Sequence, residues 1–184
     1  MNTAKLEAKT HAVIDEYIRE LDGYTFEQLL MRPSPEQWSV GQVYLHVWMS
    51  AKGFFFKKAE QCLTKEGAEQ GKSKNWKGTL VFLVGRMPTV RVKMPAKVAV
   101  EPKQPESKEQ IIAKLNEIKQ LSSDYIKRIP DADPSYKTKH PIFDYLNTGE
   151  WISLCNMHFR HHQSQIQRIR QHFHWEAPKP PKGA

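Results

Sequence analysis

No stretch of this sequence stays apolar for the roughly 18 residues a membrane span needs, so a transmembrane helix is not expected. The opening MNTAKLEAKTHAVIDEY is charged and helical in pattern, without the apolar core of a secretory signal. Cysteine is scarce, with 2 in 184 residues. Cys62 and Cys155 fall in separate segments and make no C-x-x-C pair, which leaves a cytoplasmic protein with reduced thiols as the expectation. Acidic charge is in deficit, and the formal net charge is +8. The lysines are spread out, however, and no stripe of Lys and Arg interleaved with aromatics forms on any face. A generic basic surface, suited to attracting a small anionic substrate, is therefore favoured over nucleic-acid binding. Internal repeats are also missing.

What remains fits a soluble globular chain of ordinary composition, 39% hydrophobic and 26% charged. It is long enough for one domain with a sizeable core. That domain is expected over residues 1–175, with the Pro- and Lys-rich residues 176–184 as a fraying tail.

Four segments carry helical periodicity. The first, about Lys5 to Leu21, repeats Leu6, Val13, Ile14, Tyr17, Ile18 and Leu21 at spacings that make one buried stripe. Thr25 with Gln28 resembles a capping box for a short helix, and RPSPEQW then breaks the chain. Ser39 with Gln42 opens the second segment, VGQVYLHVWMSAKGFFFKKAEQCL, apolar almost all round. Its dense aromatics suit the core, or less well a homodimer face. Ser107 with Gln110 opens the third, which ends at Pro130. The fourth runs from about Thr148 to Phe173. These predict an all-α four-helix bundle. The long connection from Thr64 to Glu106 must cross over. Within it NWKGTLVFLVG reads as a short extra helix and TVRVKMPAKVAVEP as extended chain.

The stretch HFRHHQSQIQRI puts three histidines into five consecutive positions of the fourth segment. At about 100° per residue, Trp151, Cys155, His158, His162, Ile166, Ile169 and Phe173 share one stripe. His158 and His162 therefore stack one turn apart on the buried side, while His161 points toward its edge. Two imidazoles at this spacing project about 6 Å apart along the axis and can converge on one cation. Two polar rings buried together are costly unless something satisfies both, and neutral imidazole is a common metal ligand. A metal is thus favoured over a hydrogen-bonded core pair. A third ligand must come from another helix. His46 is the natural candidate, although the all-round apolar second segment leaves its direction open. His11 and His140 are the runners-up, and His172 and His174 read as solvated. Cys155, one turn before His158, reads as packing rather than as a soft ligand.

Three blocks then become recognisable. WSVGQVYLHV resembles the helix opening, and HPIFDYLNTGEWISLCNMHFRHHQSQIQRI the last helix with its H-x-x-x-H and following Q-I, of the DinB/YfiT-like superfamily. MPAKVAVEPKQPESKEQIIAKL is similar to the proline-punctuated stretch before the third helix of that family. One departure is Asp144, which stands where relatives often have glycine. The resemblance implies a four-helix bundle of DinB/YfiT-like topology, with the long crossover carrying the short extra helix. It also implies a divalent metal held by His46, His158 and His162.

Three neutral histidines leave a coordination position open, as in catalytic sites. Imidazole ligands suit zinc, nickel, iron or copper. The expected function is that of a divalent-metal-dependent enzyme acting on a small molecule. By the resemblance it would be a thiol S-transferase using a low-molecular-weight thiol, or a hydrolase. The alternative is a non-catalytic, stress-linked metal-binding or interaction bundle, compatible with a homodimer. Trp38, Tyr44, Arg160, His161 and Gln165 are candidates to line the pocket. No residue stands out as the acid or base.

Overall fold

The computed structural model describes residues 1–88 and 101–176. The extended stretch expected at 89–102 and the tail expected at 176–184 lie almost wholly outside them.

Helix α1, Thr3–Leu21, starts where the Asn2 side chain accepts a hydrogen bond from the Lys5 amide at 2.8 Å. That bond satisfies one of the amides a helix start leaves unpaired. It buries Leu6, Val13, Ile14, Tyr17 and Leu21 of the periodic stripe together with Thr10, while Ile18 is only half-buried. The short α2, Phe26–Leu30, carries the Thr25–Gln28 capping box, and α3, Val40–Ser50, carries the Ser39–Gln42 box. The box expected at the third segment is only half made. Ser107 accepts from the Gln110 amide, but the Gln110 side chain reaches past it to the amide of Glu106. Helix α6, Lys108–Arg128, begins there.

The second segment is not one regular helix. Between α3 and α4, Lys57–Thr64, lies a π-helical turn at Ala51–Phe56. An extra residue in a turn rotates the side chains beyond it, so three consecutive phenylalanines meet three different partners. Phe54 stands edge-on to Trp151, Phe55 packs on His158, and Phe56 stacks flat on Tyr125 of α6. Tyr44, Phe55 and Phe56 are core, the reading favoured for these aromatics. Helix α4 ends at Lys65, whose φ of 64° turns the chain.

The extra helix of the connection is α5, Trp76–Val84, capped by Asn75. Its cap residue is tied to the loop KTKHPIFDYL, for which the sequence predicts no regular structure. That loop is a small antiparallel hairpin, β1 at Thr138–His140 and β2 at Asp144–Leu146, with His140 paired to Asp144. Strands of three residues are too short to show an alternating pattern. Asp144 has a φ of 61°, the left-handed region in which glycine is least strained. This explains the glycine of relatives, and Asp is among the few side chains that tolerate the conformation.

Helix α7, Thr148–His172, has a full capping box from Asn147 and Glu150. The bundle is formed by α1, the continuous α3–π–α4 rod, α6 and α7, and α7 touches each of the others. The chain is thus an all-α four-helix bundle with a long crossover between α4 and α6. Trp151, Ile152, Leu154, Phe159, Ile166 and Ile169 put most of one side of α7 into the core. No helix among the described residues is long and apolar enough to cross a membrane.

Candidate metal centre

The histidine pair arises from helix geometry alone. His158 and His162 lie one turn apart on α7, with ring centroids 4.4 Å apart. The third ring has to come from elsewhere, and it comes from α3. His46 Nε2 lies 3.2 Å from His158 Nε2, and the His46 ring is 4.6 Å from that of His162. One nitrogen from each of the three rings falls within 4.8 Å of the other two. His162 is buried, whereas His46 and His158 keep partial solvent access.

The walls are aromatic. Trp38, just before the α3 cap, packs on His46 at 4.8 Å between centroids, and Phe55 of the π turn packs on His158 at 5.0 Å. His161 stands edge-on to His162 from the rim. The other expected candidates fall elsewhere. His11 pairs instead with Ser123 of α6, at 2.8 Å. His140 accepts the amides of Ile142 and Phe143 on its Nδ1 and sits among Phe54, Phe143 and Trp151. Tyr44 is buried, with its hydroxyl bonded to the Tyr17 carbonyl, so it does not line the site. Arg160 donates to the Gly85 carbonyl and ties the end of α5 to α7. Among the described residues, Cys155 is not part of the converging group.

All three rings are neutral at neutral pH. Burial first, and then the nearby His161, lower the His46 pKa to about 4. Burial again comes first for His158 and His162, followed by the proximity of the other imidazoles, and both fall well below the usual value. Neutral rings each carry one N–H and one lone pair. His162 Nδ1 faces the Gln165 side-chain oxygen at 2.7 Å, which leaves Nε2 as its free lone pair. A hydrogen bond between the facing His46 and His158 nitrogens would require one of the two to be protonated.

This donor set suits a divalent cation. Two nitrogens bound to one tetrahedral ion at about 2.1 Å are separated by about 3.4 Å, close to the 3.2 Å observed. A hydrogen bond accounts for one facing pair of nitrogens but not for a third imidazole in the same place. Burying three lone-pair donors together is costly unless a cation or donor meets them.

Comparison with known proteins places the chain. The sequence profile of the DinB superfamily matches residues 9–166. The chain belongs to the DinB superfamily. Among solved structures it is similar to YfiT from Bacillus subtilis, described as "a probable metal-dependent hydrolase with an unusual four-helix bundle topology". The TM-score is 0.65 at 16% identity, over 95% of this chain and 89% of that one. No curated protein matches. The DinB bundle is thus the scaffold on which the histidines converge.

Sequence reasoning misses one contributor to this DinB centre, Phe55, and reads another, Gln165, only in part. Phe55 is hidden because an all-round apolar helix shows no face, and the π turn shifts the register after His46. Gln165 stands out from the sequence only as pocket lining. Its position three residues after His162 is the available signal, since side chains at that spacing meet on a helix.

Proposed function

We propose that His46, His158 and His162 bind one divalent cation and that the protein is a metal-dependent enzyme acting on a small molecule. The observation that carries this reading is the convergence of three neutral imidazole nitrogens within 4.8 Å of one another, two of them on residues with partial solvent access. The description of YfiT as a probable metal-dependent hydrolase supports it.

Three neutral ligands leave the charge of a bound ion uncompensated, so the site favours anionic partners. The Arg168 guanidinium adds positive charge near His161 and His162. Trp38 and Phe55 confine the histidines from two sides and limit water around them. A divalent ion with an open position supplies Lewis acidity that favours the anionic form of a water or thiol nucleophile near neutral pH. A small molecule carrying a carboxylate fits this setting. Two reaction classes are compatible with it: hydrolysis, and S-transfer from a low-molecular-weight thiol to an electrophile.

Elemental analysis of protein purified without added metal, then loaded with zinc or nickel, tests the centre. One equivalent in the wild type and loss in His46→Ala, His158→Ala and His162→Ala is the expected result. The reaction class is tested by offering loaded protein a thiol with a haloarene and, separately, an activated ester. A rate no higher than that of His158→Ala in both assays would remove the enzymatic reading.

A second reading, an interaction bundle, is favoured by one observation. Trp76, Leu80, Leu83 and Val84 form a solvent-facing apolar row on α5, 51–82% exposed. Contiguous rows of this kind mark association faces. Light scattering of the wild type and of Leu83→Ser would show whether self-association depends on it.

A further inference from the structure

The three histidines are not equivalent. His162 is engaged on its far side by Gln165, three residues along the same helix, with Nδ1 to Oε1 at 2.7 Å. An amide oxygen only accepts, so the proton of the neutral ring sits on Nδ1. His46 and His158 instead face each other through Nε2 at 3.2 Å. A hydrogen bond between them requires a proton on one of those nitrogens, which blocks its lone pair.

The tautomer matters because only an unprotonated nitrogen can coordinate. With the amide reversed, its N–H groups would face Nδ1 and drive the ring proton to Nε2. The proton would then stand on the nitrogen needed for coordination. Since His162 and Gln165 share a helix, the contact is formed by folding α7 and needs no ion to assemble it.

We propose that Gln165 is the positioning residue of this centre. Its side-chain oxygen fixes His162 in the Nδ1–H tautomer and sets its ring plane, so that Nε2 is ready for a divalent cation before any arrives. His162 is then the anchoring ligand. His46 and His158 complete the set, each through a nitrogen that carries no proton. The inference rests on the proposed metal site for its consequence, but the tautomer itself is a property of the metal-free protein.

The test uses two variants and two readouts. Long-range proton–nitrogen spectra of the metal-free protein report the tautomer of His162. Zinc affinity is measured by competition with a chromophoric chelator. Outer-shell partners of this kind are worth about 10–100-fold in metal affinity. Gln165→Leu is expected to lose that factor and to mix the His162 tautomers. Gln165→Glu, which keeps the acceptor, is expected to retain the Nδ1–H form and at least wild-type affinity. A Leu variant with an unchanged tautomer and affinity within about threefold of wild type would overturn the inference. If the wild type takes up no zinc at all, the metal reading fails. The nitrogen spectra still decide the role of Gln165.

Discussion

Tyr17 donates its buried hydroxyl to the backbone carbonyl of Phe159 at 2.7 Å. Tyr44 in turn donates to the Tyr17 carbonyl at 2.9 Å, and the two rings meet edge to face. Phe159 comes directly after His158, and Tyr44 lies two residues before His46. Helix α1 thereby clamps the two helices that carry the histidines, without contributing a ligand.

Removing one donor from this relay leaves a buried carbonyl with only its helical partner. Tyr17→Phe should destabilise the fold by about 1 kcal/mol. Urea unfolding should show a lower midpoint at an unchanged slope. An unchanged midpoint would mean that the relay contributes nothing to stability.

Acid should weaken the metal-free fold through His140. Burial holds its pKa at about 4, and its Nδ1 is occupied by two backbone amides. The unfolded chain takes up a proton near pH 6.5, so between that pH and about 4 it binds more protons than the folded one. Stability is fully present above 6.5 and falls as the pH drops toward 4, by about 3 kcal/mol for this group. His140→Asn, which keeps an acceptor but cannot titrate, should show a shallower acid slope in unfolding curves taken from pH 7 to 4.

Gly41 permits a close approach that no other residue would. A Cβ there would lie 2.7 Å from Pro105 Cγ and 2.8 Å from the Leu29 carbonyl oxygen. Alanine is the better helix former by about 1 kcal/mol, but overpacking costs about 1–3 kcal/mol. The Leu29 oxygen is backbone and cannot swing away. Gly41→Ala is therefore expected to lower the melting temperature. A rise would show that α2 and Pro105 yield more easily than their positions suggest.

Both thiols should be inert in the folded state. Cys62 and Cys155 are buried and unpaired, and burial raises the pKa of each. A chromogenic disulfide reagent should label neither in native protein and both in denaturant. Rapid labelling without denaturant would contradict the packing around α4 and α7.

Where the sequence is informative, its information is local. Thr25, Ser39 and Ser107 sit where helices start, because capping joins residues only three positions apart. The His158–His162 pair is visible for the same reason. The hairpin at residues 138–146 and the π turn at 51–56 are not. Three-residue strands carry too few positions for a pattern, and an evenly apolar helix gives no phase in which an inserted residue would show.

The order of residues along the chain determined one helix that presents two imidazoles from a single side, since 3.6 residues per turn suffices for that. It could not determine where His46 points. Only the packing of α3 against α7, fixed by the Tyr44–Tyr17–Phe159 relay and by Phe55 of the π turn, brings its ring to the pair. A meeting of atoms 112 positions apart depends on how whole helices fill a core. Backbone periodicity has no access to that.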